Sequence, residues 1–107
     1  MLATPFLAAA APQQTYRECI REANRTHNDA VKQAVANFQK AMNAARVARD
    51  KAVSEARQNN QEQAAQDAIS AYQEAVRQAD ADYKAEIQKA ADQLRQDRKK
   101  CKELKKK

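Results

Sequence analysis

Glycine and tryptophan are absent from all 107 residues, and both prolines, Pro5 and Pro12, fall in the first dozen. From Gln13 to Lys107 nothing breaks a helix outright. A glycine-rich phosphate-binding loop is therefore excluded. Aromatic residues are scarce, at 5% of the chain. A large globular core cannot be assembled from so few bulky apolar side chains. What remains is rich in Ala, Gln, Lys, Arg, Glu and Asp, most of which lose little rotamer freedom in a helix. With 32% charged residues, this is the composition of long helices, and length leaves room for one domain.

Catalytic raw material is equally thin. His27 is the only histidine, and Ser54 and Ser70 are the only serines. Asp50 and Ser54 share a helical face, but no histidine or lysine completes a nucleophile–base pair with them. Cys19 and His27 lie about 12 Å apart along one helix, too far to share a metal ion, and neither C-x-x-C nor E-x-x-H spacing occurs. Asp82 and Glu86 intrude near the apolar face and read as snorkelling carboxylates. His27 reads as a face residue with one wet edge. The expectation is a protein that is no enzyme, with no cofactor, no metal site and no small-molecule substrate.

Charge is unevenly placed. Residues 1–94 carry twelve basic and twelve acidic side chains, so the whole net charge of +6 resides in residues 95–107. There Arg95, Arg98, Lys99, Lys100, Lys102, Lys105, Lys106 and Lys107 stand against Asp97 and Glu103. This cluster is a candidate contact for a polyanion, binding through phosphate contacts and counterion release. It lacks the interleaved aromatics that stack on bases, and cations at a helix C-terminus also complement the macrodipole without any partner. Within the neutral body, residues 15–58 hold nine basic and five acidic residues, whereas residues 62–94 hold three and seven. Opposite signs favour laying the two segments side by side.

Residues 1–14 form a separate leader. MLATPFLAAAA is apolar and uncharged, and Ala8-Ala9-Ala10 fits a secretory cleavage site. It lacks a basic n-region and reads as the tail of a signal peptide; a disordered apolar leader is the alternative. The run is too short to cross a bilayer, and no transmembrane segment is expected.

Thr15-Tyr16-Arg17-Glu18 is a capping box that opens a helix. Apolar or small residues then recur at Tyr16, Cys19/Ile20, Ala23, His27, Ala30, Ala34, Phe38, Ala41, Ala45, Ala48, Ala52 and Ala56, close to the helical period. The pattern lapses at Asn59-Asn60-Gln61. Asparagine tolerates the left-handed position that ends a helix, and Asn59 or Asn60 can also cap the next one. A second face follows at Ala65, Ala68, Tyr72, Ala75, Ala79, Tyr83, Ile87, Ala90, Leu94, Cys101 and Leu104. If the chain folds back near residue 60, contacting residues have numbers summing to about 120, and the two cysteines, Cys19 and Cys101, obey this.

The predicted fold is all-α, an antiparallel two-helix hairpin with a coiled-coil-like, alanine-rich seam in residues 15–107. Its helices span about 15–58 and 62–105, joined by a turn at 59–61. The alternative is one unbroken helix of about 90 residues, near 135 Å long. A Cys19–Cys101 disulfide would staple the open end and implies an oxidising compartment. Val35, Met42, Val53, Ile69, Val76, Ile87 and Leu94 project to one shoulder as an aliphatic ledge. A second copy, or another helical protein, docking there completes a four-helix bundle. The functional expectation is a secreted, periplasmic or cell-surface hairpin acting as a structural or protein-interaction module. The alternative is a protein that binds an anionic surface through the basic cluster. In composition alone the chain is similar to stalk subunits, desiccation-protection proteins and periplasmic hairpins, and no motif singles out a family.

Overall fold

The computed structural model describes residues 14–105. The leader, apart from Gln14, and Lys106 and Lys107 lie outside the described residues. Two helices make up the described residues: α1, Tyr16–Gln58, and α2, Glu62–Lys105. They run antiparallel, each about 65 Å long at 1.5 Å per residue.

Local chemistry fixes the ends. Thr15 is the N-cap of α1: its hydroxyl accepts the Glu18 amide at 3.1 Å, and the Glu18 carboxylate receives the Thr15 amide in return. At the other end the Gln61 amide donates to the Ala56 carbonyl (2.7 Å) and the Asn60 amide to the Arg57 carbonyl (3.1 Å). This pair of bonds defines a Schellman motif with Asn60 at the left-handed position, φ 55°. Asn60 is thereby used to end α1. Gln61, whose carbonyl accepts from the Ala65 amide, takes the capping position of α2 instead of either asparagine.

The interface between the helices follows a rule finer than the helical period. In α1 the buried and partly buried positions, apart from Cys19 and Asn24, are Tyr16, Ile20, Ala23, His27, Val31, Ala34, Phe38, Met42, Ala45, Arg49, Val53 and Ala56. From Ala23 onward the steps are four, four and three, repeated, which closes every eleven residues. The same cycle on α2 takes Ala68, Tyr72, Val76, Ala79, Tyr83, Ile87, Ala90, Leu94 and Cys101. Eleven residues in three turns is 3.67 per turn, a repeat that favours a right-handed rather than a left-handed supercoil.

Five contacts fix the register. Phe38 meets Tyr83 with ring centroids 5.3 Å apart, the Arg49 guanidinium lies 4.3 Å over Tyr72, and Lys105 lies 5.2 Å over Tyr16. In each pair the residue numbers sum to 121. Cys19–Cys101 and the Arg98–Asn24 hydrogen bond (3.0 Å) fall within one of that value. Small and large residues alternate across the seam: this register sets Ala34 level with Ile87, Met42 with Ala79, Ala45 with Val76 and Val53 with Ala68.

Here the face read from the sequence needs correction. Ala30, Ala41, Ala48, Ala52 and Ala75 are exposed. Val31, Met42 and Val53, the larger neighbours of three of them, turn into the seam, because each withdraws more apolar area from water than a methyl group. Five ledge residues, Met42, Val53, Val76, Ile87 and Leu94, thus also serve as seam residues. The burial achieved remains small. Ala23, Ala34, Ala56, Ala65, Ala79, Ala90 and Cys101 are the buried residues, and none is bulky.

Candidate functional site

The open end, where α1 begins and α2 finishes, collects the features with functional potential. Cys19 and Cys101 are joined there, their Cα atoms 5.6 Å apart across a sequence separation of 82 residues. Cys101 is wholly enclosed, at 0% exposure, whereas Cys19 is partly accessible. The helix repeat explains the pairing: Cys101 occupies the slot held by Ala68, Ala79 and Ala90, where only a small side chain fits between the backbones.

Around this staple the charges separate by side. One shallow groove is lined by Cys19, Glu22, Asp97, Lys100 and Cys101, with Gln14 donating to Glu22 at 2.7 Å. Another, of about 600 Å³, has Ala91 and Leu94 as its apolar floor and Arg95, Arg98, Lys99 and Lys102 around it, with Glu103 as its single acidic lining residue. The basic cluster is therefore divided. Four of its members converge on one groove, and Lys100 lines the other as well as a third depression that it shares with Gln96, Lys99 and Glu103. Lys105 lies over the Tyr16 ring, and Lys106 and Lys107 lie outside the described residues. Asp92 pairs with Arg95 at 3.2 Å.

The aliphatic ledge is less continuous than the sequence pattern implies. Met42, Val53, Ile69, Val76, Ile87 and Leu94 are all partly buried, and only Val35, at 36%, counts as exposed. Val53 and Ile69 line one groove of about 590 Å³ with Arg49, Arg57 and Tyr72. Leu94 lies in the basic groove near the other end. Val47, which the sequence pattern did not single out, is more exposed than any of them, at 67%.

Remaining candidates are placed as follows. His27 is partly buried in the seam. Glu86 accepts from Asn37 across the helices at 3.4 Å, and Asp82 accepts from Gln78 on its own helix. Asp50 accepts from Arg49, and Ser54 is exposed. Among the described residues no group of three His, Cys, Asp or Glu side chains is gathered to hold a metal ion, and no helix is long and apolar enough to cross a membrane. The charge contrast between the arms produces a single cross-helix ion pair among the described residues, Arg57–Glu62 at 4.0 Å beside the turn.

Surface order comes instead from a motif that sequence reasoning passed over. Gln63–Asp67, Gln78–Asp82, Gln88–Asp92 and Gln93–Asp97 each form a hydrogen bond from amide to carboxylate four residues on. The signal was available as a recurring Q-x-x-x-D. Each such pair stabilises a helix by about 0.2–0.5 kcal/mol.

Fold and site together define a disulfide-stapled helical hairpin. Comparison of the chain with protein-family models, with curated proteins and with solved structures returned no match.

Proposed function

We propose that the chain is a structural or protein-interaction module of an oxidising compartment, a stapled rod whose shape is its working part. The observation that carries this is the disulfide joining the free ends of a hairpin with almost no core. A seam of alanine methyls contributes little at about 25 cal/mol per Å², so a covalent closure of the long loop is the largest single stabilising device in the chain. Disulfides persist in secreted and periplasmic settings and are rare where thiols are kept reduced. Secretion, a cell-surface or periplasmic location and the absence of enzymatic activity belong to this proposal.

The partner in this reading is a second copy or another helical protein on the aliphatic flank. Thiol alkylation of the protein taken directly from its cells tests the compartment, with full protection expected and free thiols overturning it. Sedimentation of the oxidised chain tests the docking. Val35→Asp, at an exposed position, is expected to reduce association while leaving helicity unchanged. A chain that stays monomeric and captures no helical partner discards the ledge.

A second reading is favoured by the convergence of Leu94, Arg95, Arg98, Lys99 and Lys102 on one groove: binding of a polyanion at the open end. Steep loss of affinity with salt is its signature, and exchanging Arg95, Arg98, Lys99 and Lys102 for glutamine, which leaves Cys101 and the staple in place, is expected to abolish it.

A further inference from the structure

The basic groove on α2 is one wall of a wider surface. Arg98 donates to Asn24, which fixes the flank of α1 that adjoins the groove. Arg17 and Arg21 precede Asn24 by seven and three residues, so the helical repeat sets them on that same flank, toward the open end. Both are exposed. On the opposite flank Glu22, Asp97 and Lys100 surround the staple. The open end is thus electrically two-sided, with its cations drawn from both helices on one side. Among the described residues Arg17, Arg21, Arg98, Lys99 and Lys102 take part in no ion pair, while Arg95 pairs with Asp92 and Glu103 lines the same groove. The cations of the flank outnumber its carboxylates, Asp92 and Glu103, and an anionic partner relieves their mutual repulsion.

We propose that this two-helix flank is a docking surface for a linear polymer of repeating phosphate groups, recognised by charge alone and requiring Arg17 and Arg21 of α1 as well as the α2 cluster. The proposal rests on the polyanion reading above and deepens it. Three features select the polymer. Arg95 to Lys102 extends about 10 Å along α2, and the neighbouring helix axis lies about 8–10 Å away, so the cations form a compact field that several successive phosphates can occupy together. Base recognition is disfavoured because the nearby aromatic ring, Tyr16, is partly buried and has Lys105 over one face, and no series of exposed rings is present on which successive bases stack. Insertion into a bilayer is disfavoured because the groove offers only Ala91 and Leu94 as apolar surface, far less than an interfacial helix buries.

Titration of the oxidised full chain with inorganic polyphosphate, followed calorimetrically over a series of salt concentrations, tests this. Circular dichroism of every variant verifies its fold. The double variant Arg17→Gln/Arg21→Gln is expected to lose about tenfold in affinity, and its salt slope to flatten by about 1.4, two contacts at 0.7 each for a single strand. Lys100→Gln, on the other flank, is expected to bind like the parent. If the double variant binds unchanged while Arg95→Gln/Arg98→Gln/Lys99→Gln/Lys102→Gln, which keeps Cys101 and the staple, abolishes binding, the α1 flank is discarded and the C-terminal cluster alone stands. If the parent does not bind polyphosphate at low salt, the polyanion reading itself falls. Equal losses for Lys100→Gln and the double variant overturn a one-sided surface. Tighter binding to phosphatidylcholine–phosphatidylserine vesicles than to polyphosphate overturns the polymer and assigns the flank to a membrane.

Discussion

Asn60 holds a backbone conformation that most residues avoid, with φ 55°, and the turn depends on it. A Cβ in this region is costly except in glycine and, to a lesser degree, asparagine. Asn60→Ala is therefore expected to destabilise the hairpin by about 1 kcal/mol, and Asn60→Gly to leave it unchanged or slightly firmer, both read from urea unfolding midpoints. Thr15, Glu18 and Asn60 were legible in the sequence because caps and left-handed turns have few residue solutions. Arg49 was not. Its slot in the eleven-residue cycle corresponds to Tyr16, His27 and Phe38, yet its charge argues for solvent. The Tyr72 ring resolves the conflict, since it packs the stem and attracts the guanidinium face-on. Arg49→Ala is expected to cost about 1 kcal/mol, and the loss should nearly vanish in a Tyr72→Ala background.

At the scale of the element, what decides the seam is the choice between neighbouring alanine and valine or methionine. Both fit a helical period read at 100° per residue, which is why Ala30, Ala41 and Ala52 looked inward. Packing discriminates: opposite Ala79 and Ala68 there is room for Met42 and Val53, and filling it adds buried area without strain. Met42→Ala and Val53→Ala are each expected to cost about 1–2 kcal/mol, less than full burial would imply because both are partly wet. Ala41→Ser and Ala52→Ser, one position away, are expected to stay within about 0.5 kcal/mol. Thermal unfolding of the four variants separates the two faces cleanly. The helix limits and the fold-back register needed none of this discrimination. They followed from the capping box, the lapse at Asn59-Asn60 and the mirrored cysteines, signals independent of which small residue faces in.

For the molecule as a whole, stability is concentrated at its two ends. The turn closes one and the disulfide the other, and between them lies a seam without a single bulky, fully buried side chain. Cross-linking over 82 residues removes about 4–5 kcal/mol of chain entropy from the unfolded state. Reduction is expected to lower stability by about that amount, and to loosen the hairpin from the open end inward. Hydrogen exchange reads the order: amides of residues 16–30 and 90–104 should lose protection well before those flanking Asn60. The same loosening separates Arg17 and Arg21 from the α2 cations. The function was the least legible level: the basic groove lies on α2 alone, but the groove beside the staple is composed from residues about eighty apart in sequence, and only the register brings them to a common side.

The eleven-residue cycle also makes the rod modular in length. Removing one cycle from each arm shortens the hairpin by about 16 Å and returns every remaining side chain to its former azimuth, with the staple still able to close. Removing it from one arm alone leaves the cysteines a full three turns out of step. A protein of this design can act as a spacer whose reach changes only in whole steps, set by how many cycles separate its lock from its turn.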